Sequence, residues 1–268
     1  MRQMGKAGRG SVLWMLAAWL VVGPVARAAL AGAEEAGGSA SQVAGAGGPP
    51  VNGPAILAKI YERVSAEERA FPGNFSRRKI VRRELDPDDG EVRSTRQVEA
   101  EVWGWAGGRD RMKILRCEID GAQVENDECE PQLEGEPIHS MFGPRGREHY
   151  DLEFAGAVAL DGEDTWRVRV VPKEETVRHF QGDLFFRQTN LSIAGMEGGV
   201  ADHPFGLKAL RIRMRFADKD GRGMLTKGHS DAVIYVPLLV DARLVTDFVA
   251  SDQRLLSPAE KSEYDDAG

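Results

Sequence analysis

Five histidines, His139, His149, His179, His203 and His229, are the first residues to weigh for chemistry, because imidazole binds metals and moves protons near neutral pH. No two of them stand at HExxH or a comparable ligand spacing, so scattered surface histidines are expected and no metal centre. Gly228-His229-Ser230-Asp231-Ala232 comes within one residue of the GxSxG nucleophile elbow. That elbow needs a strand before it and a helix after it. Here the apolar run Val233 to Val236 follows and Pro237 ends it, which is strand chemistry, so Ser230 is not expected to be catalytic. Asp218-Lys219-Asp220-Gly221 opens like a calcium loop, but the later ligand positions and the closing Glu are out of register. A hairpin turn accounts for it. Glu174 with Glu175, and Asp161 with Glu163 and Asp164, are carboxylate pairs with no second group brought to them, hence solvated turn residues. Arg167 and Arg169 with Arg211, Arg213 and Arg215 form either an anion-binding stripe or a sheet face whose arginines meet Glu and Asp across strands. The second is the ordinary use of charge on a sheet. No enzyme, cofactor or metal follows from these residues.

The elements that hold these residues are read from charge and periodicity. The 268 residues carry 35 basic and 42 acidic side chains. The first 28 hold Arg2, Lys6, Arg9 and Arg27 and no acid, so their removal shifts the net charge from −7 to −11. Such a balance argues against nucleic acid, whose phosphates demand a basic surface. The same 28 residues read as a cleavable signal peptide: a positive start, the apolar run Val12 to Val22, and Ala26-Arg27-Ala28 at the cut. A membrane span is the alternative, but it needs about 20 apolar residues, and Gly23-Pro24 and Arg27 interrupt too early. No Cys lies near the cut to take a lipid. A soluble periplasmic protein is expected. In an oxidising compartment Cys117 and Cys129 suit a disulfide around Asp120-Gly121, the alternative being two buried thiols.

Residues 29–53 are mostly Ala, Gly, Ser and Pro without apolar periodicity and read as a disordered leader. The folded domain is expected over 54–256, followed by an acidic flexible tail at 257–268. Ile56, Leu57, Ile60, Tyr61 and Val64 have helical spacing, with Pro54 at the start and Phe71-Pro72-Gly73 at the end. Beyond Asn74 the period becomes 2. Leu210, Ile212, Met214 and Phe216 alternate with arginines; Trp166, Val168 and Val170 repeat the pattern; Tyr150, Leu152 and Phe154 alternate with Asp151 and Glu153. Asp89-Gly90, Asp120-Gly121, Asp161-Gly162 and Asp220-Gly221 separate such runs and predict tight hairpins. Weaker runs near 75–84, 92–105, 110–119, 182–187, 190–197, 230–236 and 243–249 bring the count to about ten strands after one helix. The fold class is therefore mainly β: a strongly bent antiparallel sheet, an incomplete β-barrel, wrapped over an N-terminal helix. Several strands carry large apolar groups on both faces. Trp103 and Trp105 lie opposite Val98, Ala100 and Val102, and Phe185 opposite Phe186. One face builds the core; the other covers a second layer, a partner or an apolar ligand.

The order Tyr150-x-Leu152-x-Phe154-x-Gly156, Asp161-Gly162-x-x-x-Trp166-x-Val168-x-Val170-x-Pro172-Lys173, Gly182-x-Leu184-Phe185-Phe186, then the alternating strand from Leu207 to Phe216, resembles the LolA-like family. Its members are periplasmic outer-membrane lipoprotein carriers and their relatives. Phe185 stands where that family often has Trp. The resemblance runs loosely over 54–250 and implies an apolar cavity for lipid or lipoprotein acyl chains, with a membrane-bound donor or acceptor as a further partner. The protein is then a carrier in lipoprotein sorting and a monomer. Its alternative is an envelope-stress sensor or protein-interaction module on the same fold. The candidate lining residues are Trp103, Trp105, Tyr150, Leu152, Phe154, Trp166, Leu184, Phe186, Leu210, Ile212, Met214 and Phe216. The Cys pair and the Ala/Gly-rich leader depart from the family.

Overall fold

The structure is a computed structural model and describes residues 51–104, 111–129, 141–142, 146–237, 240–257 and 259–260. The expected signal peptide and most of the leader and tail lie outside these residues. Helix α1 spans Gly53–Arg69. Asn52 caps it, its side-chain oxygen accepting from the Ala55 amide at 3.2 Å. Gly73, at φ 103°, turns the chain into the first strand.

Eleven strands follow: β1 (Asn74–Leu85), β2 (Val92–Gly104), β3 (Arg111–Ile119), β4 (Ala122–Gln123), β5 (Tyr150–Leu160), β6 (Glu163–Pro172), β7 (Phe180–Arg187), β8 (Ile193–Val200), β9 (Leu207–Lys219), β10 (Arg222–Val236) and β11 (Val240–Leu255). A short helix, α2 (Gly146–His149), precedes β5. All eleven strands belong to one antiparallel sheet in the order β4-β3-β2-β1-β11-β10-β9-β8-β7-β6-β5. Two meanders, β1 to β4 and β5 to β11, are thus joined where β1 meets β11. β4 and β5 are the free edges, so the barrel is incomplete.

The expected mainly β class, the bent antiparallel sheet and the N-terminal helix are what the chain adopts. The eleventh strand, beyond the ten anticipated, is the two-residue β4. Three Asp-Gly pairs, at 120–121, 161–162 and 220–221, have positive φ at both residues, the backbone of a type I′ hairpin. At 89–90 only Gly90 does, and the loop is longer, closed by the Gly90 amide on the Asp86 carbonyl.

Helix α1 lies on the concave face. Gly53 stands so close to β5 that a Cβ there would meet Phe154 Cδ1 at 2.5 Å. At the other end Arg63 donates to the Gly221 carbonyl in the β9–β10 turn at 2.7 Å, and Ser65 Oγ to the Phe142 carbonyl at 3.1 Å. The Phe142 ring stands 6.1 Å from Tyr61 of the helix and 6.0 Å from Phe186 of β7.

Candidate functional site

Alternation of side chains across the pleat and the strand register divide the sheet into two unlike faces. The convex face is ionic. Arg243 clamps Asp231 with bonds of 2.9 and 2.5 Å. Asp247 holds Arg83 and the His229 Nδ1, each at 2.8 Å. Arg215 reaches Glu197 at 2.5 Å and Asp161 at 3.1 Å. Arg167 and Arg169 approach Asp183 at 3.9 and 3.7 Å, and Arg211 stands opposite Asp231 in register. The arginine stripe therefore meets carboxylates across strands, as the cross-strand reading expects.

The concave face is apolar along a continuous row. Phe154, Val168, Leu184, Met196, Met214, Gly228, Phe248, Ile80, Val98 and Cys117 are successive cross-strand partners on ten strands. All but Phe154, Met214 and the glycine are buried hydrophobic residues, and those two are half-buried. The gap at Gly228 is filled by a ring, since a Cβ there would meet Phe248 Cε1 at 2.0 Å. The parallel row runs Leu152, Val170, Gly182, Gly198, Ile212, Ser230, Thr246, Arg82, Arg96 and Ile119. Its glycines make room for the Phe180 ring, whose Cζ would lie 2.7 Å from a Cβ on Gly182.

Of the residues picked from sequence, Tyr150, Leu152, Phe154, Trp166, Leu184, Phe186, Leu210, Ile212, Met214 and Phe216 share this concave face. Phe154 and Trp166 pack with ring centroids 5.7 Å apart. Trp103 does not join them. It alternates with buried Val102 onto the convex face, where its ring meets Phe75 at 5.4 Å. Trp105 lies outside the described residues. Cys117 and Cys129 are bonded, with Cα atoms 5.9 Å apart, and both are buried.

Sequence reasoning missed two groups. The first is a row of polar side chains on the concave face: Ser230, Thr246, Arg82 and Arg96, with Ser76 and Arg78 beside them. Ser76, Arg78, Ser230 and Thr246 are buried, and Arg78 donates to Ser76 Oγ at 3.2 Å. Burial, with Arg82 nearby, pushes the Arg96 guanidinium down to about 10, and burial lowers Arg82 as well. The second is an aromatic knot at the start of β5. His149 and His179 have ring centroids 5.2 Å apart, and Tyr150 stands 5.4 Å from His179. His179 is buried, which corrects the expectation of surface histidines. Its Nδ1 lies 2.7 Å from the Glu174 carbonyl and 3.0 Å from Thr176 Oγ1. The Tyr150 hydroxyl accepts from the Phe180 amide at 3.2 Å, and burial pushes its pKa up to about 12.

Ser230 sits in the middle of β10 with strand on both sides, not at an elbow. Its neighbour His229 projects to the opposite face. Asp218 holds a hairpin turn, accepting from the Gly221 amide at 3.0 Å and from Ser192 Oγ at 3.0 Å. Among the described residues no three His, Cys, Asp or Glu side chains group as metal ligands would.

No family model and no curated protein matches the chain. Among the solved structures it resembles are a LolA superfamily protein and an outer membrane lipoprotein-sorting domain. A LolA superfamily protein from Nitrosomonas europaea is 14% identical over 75% of this chain and 93% of its own, with a TM-score of 0.38. A putative outer membrane lipoprotein-sorting protein domain from Vibrio parahaemolyticus is 9% identical over 77% of this chain and 96% of its own, with a TM-score of 0.40. The MucA/MucB complex of Pseudomonas aeruginosa matches at 10% identity, 77% and 100% coverage and a TM-score of 0.25. At these identities and TM-scores the likeness says nothing of what this chain binds.

Proposed function

We propose that the protein is an exported, periplasmic carrier or binding protein for lipid or lipoprotein acyl chains, serving outer-membrane lipoprotein sorting. The observation that carries this reading is the apolar row on ten successive strands. Strands spaced ~4.8 Å apart make that row roughly 45 Å wide, whereas one helix with its side chains is ~10–12 Å across. Helix α1 covers a fraction of it. Most members of the row are already buried within the chain, so an acyl chain enters by displacing that cover, and its burial recovers ~0.8 kcal/mol for each methylene. Half-buried Leu152, Phe154, Trp166 and Met214 are the groups such a chain meets first. The buried Cys117–Cys129 bond agrees with an oxidising compartment.

Native mass spectrometry of protein taken from the periplasm tests the proposal, with co-purifying lipid as the expected result. Clean apoprotein that also leaves fluorescent fatty-acyl probes unbound defeats it. A second reading, the envelope-stress sensor or protein-interaction module, draws on the Phe180 and Phe248 rings, which already fill the concave face over Gly182, Gly198 and Gly228. It predicts a membrane-protein partner that stays bound after Met214 and Trp166 are replaced.

A further inference from the structure

The two free edges of the sheet are unlike. β4 has only Ala122 and Gln123, beside the disulfide-held turn, whereas β5 is 11 residues long. Hydrogen bonds on either side of β6 fix which backbone groups of β5 point outward. The Lys173 amide donates to the His149 carbonyl at 2.8 Å and the Gln188 amide to the Asp164 carbonyl at 3.1 Å, so odd-numbered residues of β6 turn to β5 and even-numbered ones to β7. Leu152, Phe154, Ala157 and Ala159 stand opposite even-numbered residues and therefore turn their N–H and C=O away from β6. Among the described residues no other backbone group bonds to this row. An unpaired edge is a template for another strand unless charge, proline or a bulge guards it. The bulge at Gly156, φ 95°, separates Phe154 from Ala157. Beyond it, Ala157 to Leu160 hold no charge and no proline, and the exposed methyl groups of Ala157 and Ala159 leave an incoming strand room.

Carboxylates bracket that uncharged stretch: Glu153 precedes it, and Asp161, Glu163 and Asp164 follow it. Asp161 meets Arg215 and Glu163 meets Arg187. Glu153 and Asp164 are exposed and have no ion pair among the described residues. If β5 paired with itself about a two-fold axis at Val158, Ala157 would meet Ala159 of the second copy and Glu153 would meet its Glu163. Like charges placed opposite one another destabilise such a pair, so the bracket repels a second copy and attracts a strand with basic ends. We infer that the outer edge of β5 docks an extended segment of a partner protein, uncharged opposite Ala157 to Leu160 and flanked by Lys or Arg, which joins the sheet as a further strand. Main-chain bonds supply its affinity, and the carboxylates select its charge. The inference goes beyond the acyl-chain reading and does not depend on it, because the main chain of the edge makes the contact.

The test titrates the full chain with three end-blocked peptides: Lys-Lys-Thr-Val-Thr-Val-Lys-Lys, its counterpart with Glu in place of every Lys, and the Lys-flanked peptide N-methylated at its four central residues. The Lys-flanked peptide is expected to bind at least about ten-fold more tightly than the Glu-flanked one, and the N-methylated peptide not to bind at about 1 mM. Amide exchange read residue by residue by NMR is expected to slow at Ala157 and Ala159 when the Lys-flanked peptide is added. Ala159→Pro removes an outward donor that the β5–β6 ladder does not use. It is expected to keep the parent's unfolding midpoint and to weaken the peptide about five-fold or more. Glu153→Lys/Asp164→Lys, which leaves the edge main chain intact, is expected to narrow the preference between the two flanking charges to about two-fold or less. No binding of the Lys-flanked peptide at about 1 mM overturns the site. So does binding without protection of Ala157 and Ala159, or equal binding of the N-methylated peptide. Equal binding of the Lys- and Glu-flanked peptides overturns the basic partner. A concentration-dependent dimer that protects the same two amides overturns the partner segment in favour of a second copy.

Discussion

Tyr150 shows how one hydroxyl ties two strands together. It receives the Phe180 amide inside the aromatic knot, and burial raises its pKa to about 12. A raised acid pKa means the folded state keeps its proton after the unfolded chain has lost it, near pH 10. The hydroxyl's contribution is therefore complete below pH 10 and fades as pH climbs from 10 to 12. Tyr150→Phe is expected to cost about 1 kcal/mol in urea unfolding at pH 7, and the gap to the parent protein should close over that alkaline window. A gap independent of pH up to 12 contradicts this. Gly228→Ala is the steric counterpart. Its methyl meets the Phe248 ring at 2.0 Å, so the ring must leave its place, and a loss of about 1–3 kcal/mol is expected. At this scale the sequence was readable where side chains alternate cleanly, as from Leu210 to Phe216. It was unreadable for Arg78 and Arg82, because Arg77, Lys79 and Arg83 put like charge on the other face and no pattern separates inward from outward. Trp103 lies opposite Val98, Ala100 and Val102, as its alternation predicts, but that face is the convex one, where its partner in register is Phe75.

Among the elements, the hairpins were legible and the strand limits were not. Asp-Gly pairs announce positive φ, and three of them supply it at both residues. Strand β10 begins at Arg222, eight residues before the alternation from Ser230 becomes visible. The cause is the irregularity between Leu225 and Lys227, which leaves Met224 and Leu225 both buried and breaks the period. Strand β8 starts later than the run near 190 suggests, because Leu191 takes φ 60° and Asn190 Oδ1 accepts from the Ser192 amide. The Cys117–Cys129 bond fastens β3 to the turn at Asn126–Cys129 beside the short edge strand β4. A Cys117→Ser/Cys129→Ser variant is expected to lose about 3 kcal/mol in denaturant unfolding, mainly because the unfolded chain regains a closed loop's freedom. Gly162→Ala is expected to lose about 1 kcal/mol, since alanine at φ 87° is strained. An unchanged midpoint for either variant contradicts its assignment.

Across the whole molecule, the sheet is one body only because its first strand finds its last. The seam pairs Asn74 with Leu255 and Leu85 with Arg243, so contacts between the two ends of the domain join the meanders. No local pattern announces that pairing: hairpin signals specify neighbours in sequence, and β1 with β11 are neighbours only in space. The two concave rows cross the seam at Phe248–Ile80 and Thr246–Arg82. The apolar floor is therefore divided between the two meanders until β11 pairs with β1. Thr246 lies in β11 with β1 on one side and β10 on the other. Thr246→Pro removes a ladder amide and leaves its acceptor buried, a loss of about 2 kcal/mol or more. If the seam makes one cooperative sheet, hydrogen exchange in this variant should quicken together in β1 to β3 and in β8 to β10. Protection that survives in β5 to β10 while β1 to β3 open would show that the C-terminal meander folds alone. The concave trough would then be completed by a first meander whose order depends on the seam.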